Sequence, residues 1–261
     1  ILIADKLSPK AIAELETIGA DITSNPYLKA DDLSKAIDKT NILIVRSTKV
    51  FAETIEAGNN LELIIRAGAG VNNIDLEKAS SSGVYVANCP GKNSDAVAEL
   101  ALGHIIACDR QIVDASLDLR SGKWKKKTYQ NAAGLKGRTL GIIGLGSIGS
   151  ALAELAKGLD MNVIVWSRSL TPDKADKLDL VYCESIAEVA ANADIVSVHL
   201  AMTPDTKQIL NNDFFSKMKD GAIFVNTSRG EIVDTAALRK AIDEKVLRVG
   251  LDVFENEPGS G

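Results

Sequence analysis

With 261 residues, 46% of them hydrophobic and 25% charged, the chain has material for one large or two small globular domains. A net charge of −5 offers no basic excess to offset phosphates, which argues against nucleic acid as a partner. No apolar run reaches the ~18–20 residues of a membrane helix. Cys89, Cys108 and Cys183 are odd in number, far apart and without metal-ligand spacing, so no metal site is expected and the thiols read as those of a reduced, cytoplasmic protein.

The chain opens in an apolar strand, 1–4, leading to a helix with Ser8 as N-cap, Pro9 at the first helical position and Gly19 past the end. Further strands are expected near Ile22 and at 42–45, 61–65 and 84–87, with helices between them. Such alternation predicts a parallel sheet covered on both faces. Around Asn88, Cys89, Pro90 and Gly91 the pattern breaks, and a long helix is expected over 94–119 with Ser94 capping it. One domain is therefore placed at 1–90 and a second at 91–261, the linking helix included. His104, inside that helix, reads as a packed or interface side chain. The run Gly122, Lys123, Trp124, Lys125, Lys126, Lys127 reads as a solvated segment or as a cationic rim at a subunit interface.

A second alternation follows, with strands at 140–143, 162–166, 179–182, 194–198, 222–226 and 247–251 and further helix starts at Thr171 and Asp234. The first of these strands runs into Gly144, Gly146, Ser147, Ile148 and Gly149. That spacing gives a tight turn, a close backbone approach to a pyrophosphate and a helix packed on the strand, with the helix N-terminal amides facing the phosphates. A second apolar strand closes a βαβ unit, and together they predict dinucleotide binding. At the end of that strand, where an NAD-binding unit carries an acidic residue, stand Ser167, Arg168 and Ser169. Arg168 is either an ordinary solvated charge or the partner of a 2′-phosphate, which tilts the expectation from NAD(H) toward NADP(H). In open α/β sheets ligands bind beyond the carboxyl ends of strands, which singles out His199, Leu200, Thr227, Ser228, Arg229 and Asp252. Arg229 either clamps a substrate carboxylate or pairs with a neighbouring acid.

The stretches Asn226-Thr227-Ser228-Arg229-Gly230, Asp252-Val253-Phe254 and Glu257-Pro258 resemble the D-isomer-specific 2-hydroxyacid dehydrogenase family. So do the run from Ala4 to Ser8, Ile44-Val45-Arg46-Ser47, the run from Arg66 to Asp75, and Asn88-Cys89-Pro90-Gly91. The resemblance covers essentially the whole chain. It implies an α/β architecture of two doubly wound parallel-sheet domains, a flavodoxin-like substrate domain and a Rossmann dinucleotide-binding domain. It also implies an NAD(P)-dependent oxidoreductase moving a hydride between a small phosphorylated 2-hydroxy acid, 3-phospho-D-glycerate, and the nicotinamide. Arg229 would orient the substrate's carboxylate and keto group, and amides of Gly68, Ala69, Gly70 and Val71, with Asn72 nearby, would hold the carboxylate. Asp252 would face the carboxamide, while Leu200 and Thr227 would line the ribose, beside His199 and Ser228. Arg46 and Arg66 fit phosphate recognition. Glu257 would hydrogen-bond a proton-shuttling histidine expected beyond Gly261, together with the return segment of the first domain. His199 is a weaker substitute acid/base. A homodimer through the long helix and residues 120–137 is implied too. Glyoxylate or hydroxypyruvate reduction is the alternative activity, and a dinucleotide-binding corepressor-like interaction protein the alternative of another class.

Overall fold

A computed structural model of the chain describes residues 1–257. Two compact units divide the chain, Ile1–Asn93 and Ser94–Gly261. Their junction lies after 90 because Asn88 and Cys89 stay tied to the first unit. The Asn88 side chain donates to the Ala69 carbonyl at 2.6 Å, and the Cys89 amide donates to the Gly68 carbonyl at 3.0 Å.

In the first unit, β1 (Leu2–Ile3), β2 (Thr23–Ser24), β3 (Ile42–Val45), β4 (Leu63–Arg66) and β5 (Tyr85–Asn88) form an all-parallel sheet in the order β2-β1-β3-β4-β5. This is the flavodoxin-like order, whose direction of winding reverses between β1 and β3. Apolar runs make the inner strands, and Leu2, Leu43, Val45 and Ile64 pack with Leu33 and Ile37 as one core cluster. Each such side chain contributes about 1.5–3 kcal/mol on burial. The helix Pro9–Glu16 begins where the cap signals put it, the Ser8 hydroxyl accepting from the Ala11 amide at 3.2 Å. The fourth strand starts at Leu63 rather than 61, because the Leu61 amide still closes the turn after the preceding helix onto the Gly58 carbonyl.

In the second unit, β6 (Thr139–Ile143), β7 (Asn162–Trp166), β8 (Val181–Tyr182), β9 (Ile195–Val198), β10 (Ile223–Asn226) and β11 (Arg248–Leu251) are parallel in the order β11-β10-β9-β6-β7-β8. This is the Rossmann order, with its switch point between β6 and β9. One face is covered by helices Ser94–Arg110 and Ser147–Gly158 through Ala98, Ala101, Ile105, Leu152, Ala153 and Ala156. The other is covered by Phe214, Phe215, Leu238 and Ala241 of helices Asn212–Lys217 and Thr235–Lys245. Covering both faces is what lets largely apolar strands such as β9 and β10 lie fully buried.

The expected helix 94–119 is corrected to two, Ser94–Arg110 and Ile112–Arg120, broken at Gln111, whose φ of 51° is left-handed. The carbonyls of Cys108 and Asp109 are taken by the Arg248 guanidinium at 3.4 and 3.1 Å. The buried Asp109 carboxylate is held by Arg138 and the Gly134 amide, each at 3.0 Å. Long-range partners thus end the first helix where the local sequence carries no breaker. Strand β8 is likewise shorter than 179–182, since Asp179 leaves the preceding helix with a left-handed φ of 52°.

Candidate functional site

In the second unit the three glycines after β6 do three different jobs. Gly144 has a φ of 101°, and a Cβ there would stand 2.5 Å from the His199 carbonyl oxygen. The lips of the switch point, the ends of β6 and β9, touch at this residue. Gly149 lies in the first turn of helix Ser147–Gly158, where a Cβ would overlap the Gly144 carbonyl. Gly146, the helix N-cap, has nothing within 4 Å of the Cβ it lacks, and no side chain caps the helix. The amides of Ser147, Ile148 and Gly149 are the first of the helix and have no intrahelical acceptor, the arrangement that accepts a pyrophosphate.

Around this loop, Ser167 is half-buried while Arg168 and Ser169 are exposed beyond β7. The Arg168 guanidinium has no ion-pair partner among the described residues. The end of β9 carries His199, with Nε2 2.9 Å from the Ser197 hydroxyl and Nδ1 buried without a partner. Burial pushes its pKa down to about 4, so at neutral pH the ring is uncharged. It is therefore a poor proton donor. Leu200 follows, half-buried, at the same lip. At the end of β10 the buried Thr227 hydroxyl also lacks a partner. Two orphaned polar atoms on neighbouring strand ends, an uncapped helix and a cradle that only glycine leaves open together suit a nicotinamide dinucleotide.

Arg229 is presented by a tight turn. Asn226 holds it from both sides: its Oδ1 accepts from the Ser228 amide (3.0 Å) and hydroxyl (2.7 Å), and its Nδ2 donates to the Arg229 carbonyl at 2.9 Å. Arg229 Nη1 donates to the Ser228 carbonyl at 2.7 Å, and no carboxylate pairs with it among the described residues. Gly230 packs directly on the backbone of Phe254 and Glu255, so the turn and the segment after β11 are brought together. That segment is strapped by Glu255, whose carboxylate accepts from Gln208 at 3.3 Å and Thr235 at 3.0 Å. Asp252 is exposed at the end of β11. Glu257 Oε1 accepts from the Phe254 amide at 2.9 Å, and among the described residues Oε2 has no hydrogen-bond partner. Pro258, of the same motif, lies outside the described residues.

In the first unit the ends of β3, β4 and β5 converge. Arg66 Nε donates to the Arg46 carbonyl at 3.0 Å, and its guanidinium lies against Gly68. Neither arginine forms an ion pair among the described residues. The Gly68 amide, expected to face the ligand, instead donates to the Arg66 carbonyl at 2.8 Å because the chain turns back on β4 there. Those of Ala69, Gly70 and Val71 donate to no acceptor among the described residues, while Asn72 is exposed beside them. Asn88 braces the loop through the Ala69 carbonyl and Asn73 through the Thr48 carbonyl at 2.8 Å. Sequence reasoning passed over these two braces and Asn226; an amide residue at a strand end beside a glycine-rich turn is the signal that points to them.

Two residues outside these clusters also find places. His104 packs on the backbone of β11, where a Cβ at Gly250 would stand 2.8 Å from His104 Cβ. Of the lysine run, Lys125 and Lys123 approach the Asp118 carboxylate at 2.9 and 4.0 Å.

A family model described as the NAD binding domain of D-isomer-specific 2-hydroxyacid dehydrogenases matches residues 102–260. A hydroxypyruvate reductase from Thermotoga maritima is 42% identical over 244 residues, covering 91% of this chain and 76% of that protein. A D-3-phosphoglycerate dehydrogenase from Archaeoglobus fulgidus is 37% identical over 262 residues, and the chain spans only 49% of its length. The NAD⁺-bound crystal structure of 3-phosphoglycerate dehydrogenase from Entamoeba histolytica superposes with a TM-score of 0.81 at 29% identity, covering 98% of this chain and 80% of that one.

Proposed function

Because this chain belongs to the D-isomer-specific 2-hydroxyacid dehydrogenase family, we propose that it transfers a hydride between 3-phospho-D-glycerate and a nicotinamide dinucleotide, giving 3-phosphohydroxypyruvate. The second unit is the nucleotide-binding domain and the first the substrate domain. When bound, the nicotinamide ring supplies the hydride acceptor. Amides of Ser147, Ile148 and Gly149 hold the pyrophosphate, His199 and Thr227 offer their unpartnered atoms to the ribose side, and Asp252 accepts from the carboxamide. Arg229, held rigid by Asn226, grips the substrate carboxylate and polarises the adjacent oxygen on which charge develops. Glu257 keeps one oxygen for a histidine that moves the hydroxyl proton, and such a pairing raises the imidazole pKa toward the working range.

The observation that carries the phosphorylated substrate is the pair of guanidinium groups, Arg46 and Arg66. They lie at adjacent strand ends with no carboxylate partner among the described residues. Two guanidinium groups joined through the Arg46 carbonyl and set beside amides without protein acceptors support an anionic ligand. Steady-state kinetics on the full native polypeptide test this. Arg46→Ala is expected to raise KM for 3-phosphoglycerate about tenfold or more while leaving D-glycerate nearly unchanged. Equal effects on both substrates would remove the phosphate assignment.

A second reading is reduction of hydroxypyruvate or glyoxylate. The hydroxypyruvate reductase relative favours it, as does Arg168 where a carboxylate would repel a 2′-phosphate. NADP(H) is proposed over NAD(H) on the same loop. Arg168→Glu is expected to weaken NADPH binding about tenfold or more with little change for NADH, and the reverse ranking would discard the proposal.

A further inference from the structure

The winding of the first sheet reverses between β1 and β3, and the loops leaving those two strands meet through one carboxylate. Asp5, directly beyond β1, places a single oxygen, Oδ2, against three successive amides beyond β3. These are Arg46 at 2.7 Å, Ser47 at 3.1 Å and Thr48 at 3.0 Å. Three converging N–H dipoles make an anion-binding concavity, and here the protein fills it with its own charge. The turn so fixed is the one that carries Arg46. Its carbonyl accepts from Arg66 Nε at 3.0 Å, and the remainder of the Arg66 guanidinium lies against Gly68. Asp5, Arg46, Arg66 and the open-amide loop thus form one connected chain of contacts across the ends of β1, β3 and β4. Asp5 makes no ion pair with either arginine, so its charge organises the backbone without neutralising the guanidinium groups.

We propose that Asp5 is a positioning residue for substrate recognition: its carboxylate holds the 46–48 turn so that Arg46, and through its carbonyl Arg66, are presented together to the phosphoryl group of the substrate. The inference rests on the phosphorylated-acid reading above. A carboxylate is the group suited to the task. An asparagine has the same shape and keeps one acceptor oxygen, but it lacks the charge that three amide donors call for. By occupying the amide concavity in advance, Asp5 also denies it to the ligand and leaves the phosphoryl group to the guanidinium groups.

The test compares the full native protein with Asp5→Asn and Arg46→Ala, using calorimetric titration of 3-phosphoglycerate and D-glycerate. Amide hydrogen exchange at residues 46–48 is read alongside. Asp5→Asn is expected to lose about tenfold of the preference for the phosphorylated acid, with D-glycerate affinity within about twofold of wild type, and to exchange its 46–48 amides at least about tenfold faster. A variant that keeps the wild-type preference, or keeps its exchange protection, overturns the positioning role. So does one that weakens both ligands equally while melting early, which marks a purely structural carboxylate. If wild type itself shows no preference and Arg46→Ala changes nothing, the phosphorylated-substrate reading fails and takes the ligand half of the inference with it. The exchange result then still decides whether Asp5 holds the turn.

Discussion

The three glycines after β6 separate folding from binding. Gly144→Ala puts a side chain at a φ of 101° and 2.5 Å from the His199 carbonyl oxygen. Left-handed strain costs about 1–3 kcal/mol and the steric overlap a further ~1–3 kcal/mol, so a loss of about 2–6 kcal/mol is expected. At roughly 2–4 °C per kcal/mol for a unit of this size, the melting temperature falls by about 4–24 °C. Gly149→Ala forces its Cβ into the Gly144 carbonyl and falls in the same class. Gly146→Ala meets nothing within 4 Å and has an extended backbone that alanine adopts, with φ −86° and ψ −165°. Its folding penalty is only that of a poorer N-cap, about 0.5–1 kcal/mol. The added methyl nevertheless stands where the pyrophosphate must approach the amides. Losing one charge-assisted bond at about 1.5–3 kcal/mol weakens nucleotide binding by about 10-fold to 100-fold. Differential scanning calorimetry of the unliganded variants and fluorescence titration with NADH read the two quantities separately. A Gly146→Ala protein that binds NADH like wild type, or a Gly144→Ala protein that melts with wild type, would refute this division of roles.

His199 gives a pH signature. Its pKa is about 4 in the folded chain against 6.5 for the free side chain, so below pH 6.5 the unfolded state takes up a proton that the native state refuses. At about 1.36 kcal/mol per unit, His199 removes about 3 kcal/mol of stability as pH falls from above 6.5 to below 4. In denaturant titrations the stability of His199→Gln relative to wild type should rise by that amount across the interval, and a pH-independent difference would show the ring to be freely protonated. A homodimer through the long-helix region is proposed because Val113, Leu117, Leu119 and Trp124 are 61, 56, 61 and 78% exposed. Leu117→Glu with Trp124→Glu should shift sedimentation to the monomer, and an unchanged dimer would move the interface elsewhere.

What was legible in the sequence was local. Ser8 and Asp234 cap their helices as their positions announce, and a helix opens directly after the Gly144–Gly146 turn, where the glycine spacing put it. The open amides and unpaired arginines likewise sit where the strand ends put them. What escaped depended on residues distant in the chain. The break at Gln111 is made by Arg248, which takes helix carbonyls from β11, and no periodicity within 94–119 registers that. The protonation state of His199 is set by burial under neighbouring strands rather than by its own sequence neighbours. Asp5 acquires a partner only once β1 and β3 lie side by side, a fact of strand order.

The central claim, that Arg229 grips the acid while charge develops on the adjacent oxygen, is tested most directly by kcat/KM of Arg229→Lys on the full native protein. Lysine keeps the charge but not the two-pronged geometry. The account predicts a fall of about 100-fold or more, carried in kcat as well as KM, with NADH affinity unchanged. A kcat/KM within a fewfold of wild type would contradict it.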